Sequence, residues 1–147
     1  MSTETCINSN DSNNNNCIIN ADNTNDKSSI RQFYANKSVF ITGASGFIGK
    51  ILLLKLLVSC PDIGQIYVLM RPKNDVSSNK RLSAMLSAVP FQYALNDDDP
   101  RKKKVVPIEG DITRPGLGFS DADRALITDT VSVVFHCAAS IKFDAPL

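Results

Sequence analysis

Three glycines spaced three apart, Gly43, Gly46 and Gly49, stand between the short run SVFIT and the long apolar run ILLLKLLVS. A turn of this kind joins a buried strand directly to a buried helix, and few folds accommodate it. Gly43 permits the tight turn off the strand. Gly46 lets backbone approach a pyrophosphate with no Cβ in the way, and Gly49 lets the helix pack close on the sheet. The helix start then offers free N–H groups and a partial positive charge to an anion. The candidate phosphate cradle is therefore Thr42, Gly43, Ser45, Gly46, Phe47, Ile48 and Gly49. The rival P-loop pattern, GxxxxGK[ST], fails twice: five residues separate Gly43 from Gly49, and Lys50 is followed by Ile51, which cannot bind magnesium. Glycines that serve only to reverse the chain are the plainer alternative.

The rest of the sequence alternates strand and helix. SVFIT (Ser38 to Thr42) predicts a strand and FIGKILLLKLLVS a helix, apolar at most positions and so expected to be buried on more than one side. QIYVLMR predicts a second strand. In SSNKRLSAMLSAV, Leu82, Met85, Leu86 and Val89 follow helical spacing. KVVPIEG predicts a third strand. Ser120 and Asp123 form a capping box that opens a short helix through Ile127, and VSVVFHCAA predicts a fourth strand. Strands rich in Val, Ile and Phe without polar alternation are expected to be buried on both faces. Strands alternating with helices imply a parallel sheet. The fold class is thus α/β, the N-terminal half of a doubly wound (Rossmann) sheet in strand order 3-2-1-4, with residues 37–147 as a partial nucleotide-binding domain. A complete sheet of this kind needs roughly as much sequence again, so the chain is expected to be truncated relative to the whole fold.

Composition removes other classes. A net charge of +1 over 147 residues gives no reason to expect a nucleic-acid partner. The four cysteines form no CxxC pair and His136 is the only histidine, so neither a disulfide framework nor a metal site is expected. No apolar stretch approaches the roughly 18 residues of a membrane span, and no signal peptide is evident, which favours a cytosol-facing protein. Nine of the first 26 residues are asparagine, and residues 1–31 are expected to form a disordered arm. Arg101–Lys104 (RKKK) follows Asp97–Asp99, and this mixed-sign run reads as a solvated loop.

The end of the second strand bears on the nucleotide. A free ribose 2′-hydroxyl usually meets an Asp or Glu about 20 residues after the glycines. Here that place holds Arg71 and Lys73, with no carboxylate from Gln65 to Asn74. Arginine suits a 2′-phosphate by charge and by the geometry of its fork, so NADPH is favoured over NADH. A solvated arginine at a strand end is the alternative.

TGASGFIGK, LLVSCPDIGQIYVLMRPK, IEGDITRPGLGFSDADRALI and VVFHCAASIKFDAPL together resemble the N-terminal NADP-binding part of the alcohol-forming fatty acyl-CoA reductases, which are extended short-chain dehydrogenase/reductase enzymes. The resemblance runs from about Lys37 to Leu147. The glycine motif alone is weak; CPDIG with the following RP, and PGLG before the capped helix, narrow it. Ser45, where threonine is frequent in the family, is a conservative departure. The resemblance implies that Asp111 and Ile112 border the adenine and that Ala138 and Ala139 line the cofactor. It implies reduction of a long-chain acyl-CoA to a primary alcohol by two hydride transfers from NADPH, with an aldehyde between. It also implies peroxisomal or endoplasmic-reticulum membrane association for the full-length protein.

Enzymes of the family use a Tyr-x-x-x-Lys pair, in which the lysine lowers the pKa of the proton-donating tyrosine. None of Tyr34, Tyr67 and Tyr93 has a lysine four residues on. No catalytic residue is assigned, and these residues are expected to bind the cofactor without reducing a substrate; the long-chain acyl-CoA would be met through the second half of the fold. His136 and Cys137 are neighbours on a strand and point to opposite faces. Two other functions stay open from the residues: another extended short-chain reductase or epimerase, and a non-catalytic NADP(H)-binding module.

Overall fold

The computed structural model describes residues 30–71 and 76–139. Four parallel strands form one sheet: β1 (Ser38–Thr42), β2 (Ile66–Met70), β3 (Val105–Glu109) and β4 (Val131–His136). Their order is β3-β2-β1-β4, as the sequence predicts. Phe40 pairs with Tyr67 on one side and Val134 on the other, and Tyr67 pairs with Val106. Because all pairings are parallel, the four carboxyl ends lie at the same edge of the sheet, and the strand order reverses between β1 and β4, the point where open α/β sheets bind ligands.

Helices α1 (Phe47–Ser59), α2 (Ser78–Leu86), α3 (Phe91–Ala94) and α4 (Asp121–Thr130) lie between the strands along the chain. The period-2 geometry of a strand divides the core. Val39, Ile41, Ile66 and Val68 face Leu53, Leu57, Leu82 and Phe91 in one cluster. Phe40, Tyr67, Leu69 and Ile108 form a smaller cluster on the opposite face, joined by Leu117, Phe119 and Ile127. Phe40 and Phe119 meet edge to face with centroids 5.7 Å apart, a favourable aromatic geometry. The capping box is present: the Ser120 hydroxyl accepts from the Asp123 N–H at 3.1 Å, and α4 runs three residues past the predicted end.

Several expectations are corrected. α1 buries one stripe, Gly49, Leu53, Leu56 and Leu57, while Phe47 and Ile48 stay mostly exposed. β4 alternates between half-buried and exposed residues rather than being buried on both faces: Val133 and Phe135 pack on one face, while the face carrying Val134 and His136 stays exposed. α3 has no counterpart in the sequence reading. The expected arm lies outside the described residues except for its last two; residues 30–34 are helical, and Arg31 Nε donates to the carbonyl of Ser59 at 2.9 Å.

The RKKK segment is also not a solvated loop. Pro100–Lys104 is a 3₁₀ helix. Asp99 accepts from Arg101 Nε at 2.9 Å and Nη2 at 2.6 Å, and Lys104 Nζ donates to the carbonyls of Pro61 and Ile63, both at 2.7 Å. The Arg101 hydrogen bonds hold the Asp99 carboxyl at about 2, below its ordinary value of 3.8. A carboxylate with a depressed folded pKa contributes stability that is present above the unfolded pKa and lost as pH falls through the folded one. Asp99→Asn is therefore expected to lower Tm at neutral pH and to flatten the dependence of Tm on pH between about 4 and 2. Equal pH slopes for the two proteins in thermal melts would exclude this role for the pair.

Candidate nucleotide-binding site

β1 ends at Thr42 and the chain turns at once. Gly43 adopts φ +70°, a left-handed conformation that glycine accepts without strain. A Cβ on Gly43 would lie 2.5 Å from the Ala138 nitrogen, and one on Gly49 would lie 2.6 Å from Ala44 Cα. Both glycines are therefore demanded by backbone packing within the protein. Gly46 differs. It has ordinary dihedrals, and a Cβ there would meet only the Gly43 carbonyl, at 3.2 Å. Its bare face lines an open cleft. Gly46 is also the N-cap of α1; no side chain caps this helix and no acidic residue lies in its first turn. The uncapped N–H groups suit an anion, and the absence of a Cβ gives it a close approach. Ser45, Phe47 and Ile48 are exposed around this turn, while Thr42 is buried beneath it.

A cavity of about 680 Å³ extends from this turn across the carboxyl ends of the strands. It is lined by Gly43, Ser45 and Gly46 at one end, by Cys137, Ala138 and Ala139 beyond β4, and by Ile112 and Thr113 beyond β3. Its far wall holds Arg71 and Arg81. A neighbouring cavity of about 660 Å³ is lined by the same two arginines together with Glu109, Asp111 and Arg114. The fold thus brings the sequence candidates Gly43, Ser45, Gly46, Arg71, Asp111, Ile112, Ala138 and Ala139 to one side of the sheet. Lys73 lies outside the described residues.

Arg81 and Arg114 are absent from the sequence reading. Arg81 stands in the first turn of α2, and its guanidinium donates to the carbonyl of Arg71. A signal for it was available: the first turn of a crossover helix lies near the carboxyl ends of the strands. Asp111 accepts from the N–H and the hydroxyl of Thr113, both at 2.9 Å, and these bonds, with help from Arg71 and Arg114, hold its carboxyl below the usual range. The Glu109 carboxylate accepts from the Ser78 hydroxyl at 2.9 Å. The Asp111 N–H donates to the Leu117 carbonyl at 2.7 Å, which fixes the PGLG turn (Pro115–Gly118) under the loop after β3.

Residues 41–147 match the family model described as male sterility protein, an NAD-binding family. The chain belongs to this family. Fatty acyl-CoA reductase 1 of Rattus norvegicus and of Homo sapiens are each 38% identical to it over 119 residues, and that of Xenopus laevis is 40% identical. Each alignment covers 81% of this chain and 23% of the relative. The chain therefore spans less than a quarter of the length of these relatives. Among solved structures, the terminal R domain from the myxalamid PKS-NRPS biosynthetic pathway superposes with a TM-score of 0.61 at 26% identity, covering 76% of this chain and 27% of that one. The resemblance read from the sequence is the relationship found, and the family is an NAD-binding one.

The two kinds of glycine separate experimentally. Gly49→Ala forces helix and turn apart and is expected to lower Tm by several degrees. Gly46→Ala is expected to leave Tm within about 2 °C of the parent and to weaken dinucleotide binding by roughly tenfold or more, since its methyl group intrudes on the ligand side. Thermal melting and nicotinamide fluorescence titration measure both. A Gly46→Ala variant that binds as the parent does would remove Gly46 from the cradle.

Proposed function

We propose that this chain is the cofactor-binding part of an NADPH-dependent fatty acyl-CoA reductase, which converts a long-chain acyl-CoA to a primary alcohol. The observation that carries the reading is the single cleft running from the glycine turn to Arg71 and Arg81. Its two ends suit the two anionic groups of NADPH: the pyrophosphate on Gly46 and the start of α1, the 2′-phosphate on the guanidinium groups. No described residue places a carboxylate at the end of β2, where a ribose 2′-hydroxyl would need one. Asp111 accepts from Thr113 and Glu109 from Ser78, and among the described residues neither lies within ion-pair distance of Arg71 or Arg81.

The bound nicotinamide would supply hydride, twice per acyl-CoA, releasing CoA and then reducing the aldehyde to the alcohol. These residues hold and orient the dinucleotide. Gly46 gives close approach, α1 offers N–H donors, and Ala138 and Ala139 present small side chains to the cleft. The cysteines form no CxxC pair, which supports a cytosol-facing location. No helix among the described residues is long and apolar enough to cross a membrane.

Charge-assisted hydrogen bonds to a phosphate contribute about 1.5–3 kcal/mol each, roughly ten- to hundredfold in Kd. Arg71→Asp is expected to weaken NADPH binding by about that factor and to shift preference toward NADH. Arg81→Ala is expected to weaken NADPH alone. Equal affinity of the unmutated protein for both cofactors would refute the 2′-phosphate assignment. For the reaction itself, the full-length enzyme incubated with NADPH and a long-chain acyl-CoA is expected to form fatty alcohol and to oxidise two NADPH per alcohol. Nicotinamide absorbance and product analysis report both, and no substrate-dependent oxidation would overturn the proposed activity.

A further inference from the structure

β1 and β4 run side by side as far as Thr42 and His136, which are register partners, and then diverge. Beyond that point one chain makes the glycine turn and the other forms the Cys137–Ala139 wall of the same cleft. Two bonds close the ladder at the fork. The Cys137 N–H donates to the Thr42 carbonyl at 3.1 Å, and Thr42 Oγ1 lies 2.7 Å from His136 Nδ1. The side-chain bond is a rung added where the backbone pairing ends. Thr42 is 2% exposed, so its hydroxyl is desolvated and depends on this partner, whichever of the two atoms carries the proton. Directly above it, the Gly43 backbone rests on Cys137 and Ala138, close enough that a Cβ would stand 2.5 Å from the Ala138 nitrogen. A change of a few tenths of an ångström at the fork would therefore alter the width of the cradle.

We infer that Thr42 and His136 are a positioning pair, which sets the distance between the glycine turn and the Cys137–Ala139 segment and thereby the affinity for the dinucleotide. The inference rests on the reading of the cleft as a dinucleotide site. It separates from the 2′-phosphate assignment because the fork sits at the glycine end of the cleft, away from Arg71.

The test is titration of the full chain and its variants with NADPH and with NADH, alongside thermal melting. Thr42→Val and His136→Ala are each expected to weaken both cofactors by the same factor, roughly fivefold, leaving the NADPH-to-NADH ratio unchanged. The double variant is expected to be no weaker than either single one, because the pair acts as a unit. His136→Asn is expected to restore binding, since its side-chain amide reaches the position of Nδ1, whereas His136→Gln, which reaches the position of Nε2, is not. A purely structural role would lower Tm in step with affinity and would not distinguish Asn from Gln. Parent-like affinity in both single variants, additive losses in the double variant, or no advantage of Asn over Ala would overturn the inference. Failure of the unmutated chain to bind either dinucleotide would instead remove the reading on which it rests.

Discussion

The backbone contact between the glycine turn and its surroundings governs the rest of the site. The start of α1 lies against Gly43 and Ala44 so closely that a Cβ on Gly49 would come within 2.6 Å of Ala44 Cα. Gly43 in turn rests on the chain leaving β4. Helix, turn and the ends of β1 and β4 are thus held at backbone distance, with no intervening side chain to adjust. Interiors packed this tightly do not deform gradually. The position of the uncapped helix start over the strand ends follows from that contact, and so does the position of the cleft.

The core around this contact is uneven. One face of the sheet carries α1, α2 and α3 over a large buried cluster, with Phe91 fully enclosed. The other carries a small cluster in which Phe119 and Ile127 cover Phe40 and Leu69. The difference shows in β4, where Val134, the register partner of Phe40, stays exposed. Alignments that cover 23% of the fatty acyl-CoA reductases place these residues in a much longer chain among the relatives.

Charge at the far end of the cleft is arranged by local bonds. Arg71, Arg81 and Arg114 line one cavity with Glu109 and Asp111. The two carboxylates are satisfied by hydroxyl and amide donors from Ser78 and Thr113, so they are not committed to the arginines by direct pairing. Such a rim can receive an anion without first breaking an ion pair. The basic segment at Arg101–Lys104 shows the opposite arrangement: Arg101 is bound to Asp99, and Lys104 to two carbonyls. Two clusters of similar composition therefore have different availability, and sequence composition does not separate them.

The sequence by itself determined the strands, the glycine turn and the strand order. These follow from local chemistry: β-branched runs favour strands, glycine takes the left-handed turn at Gly43 without strain, and a Ser with a carboxylate three residues on caps α4. It also singled out Arg71 as a candidate by its position after the glycine motif, and the fold places that residue in the cleft. Only the tertiary structure decided which faces were covered, since an apolar helix such as α1 reads the same whether one stripe or two are buried. It alone brought Arg81 and Arg114 beside Arg71, across separations of 10 and 43 residues along the chain. It joined Thr42 to His136 across 94 residues. The physical reason is common to all three. Local periodicity reports which way a side chain points, but the neighbour it meets there comes from a distant segment through packing.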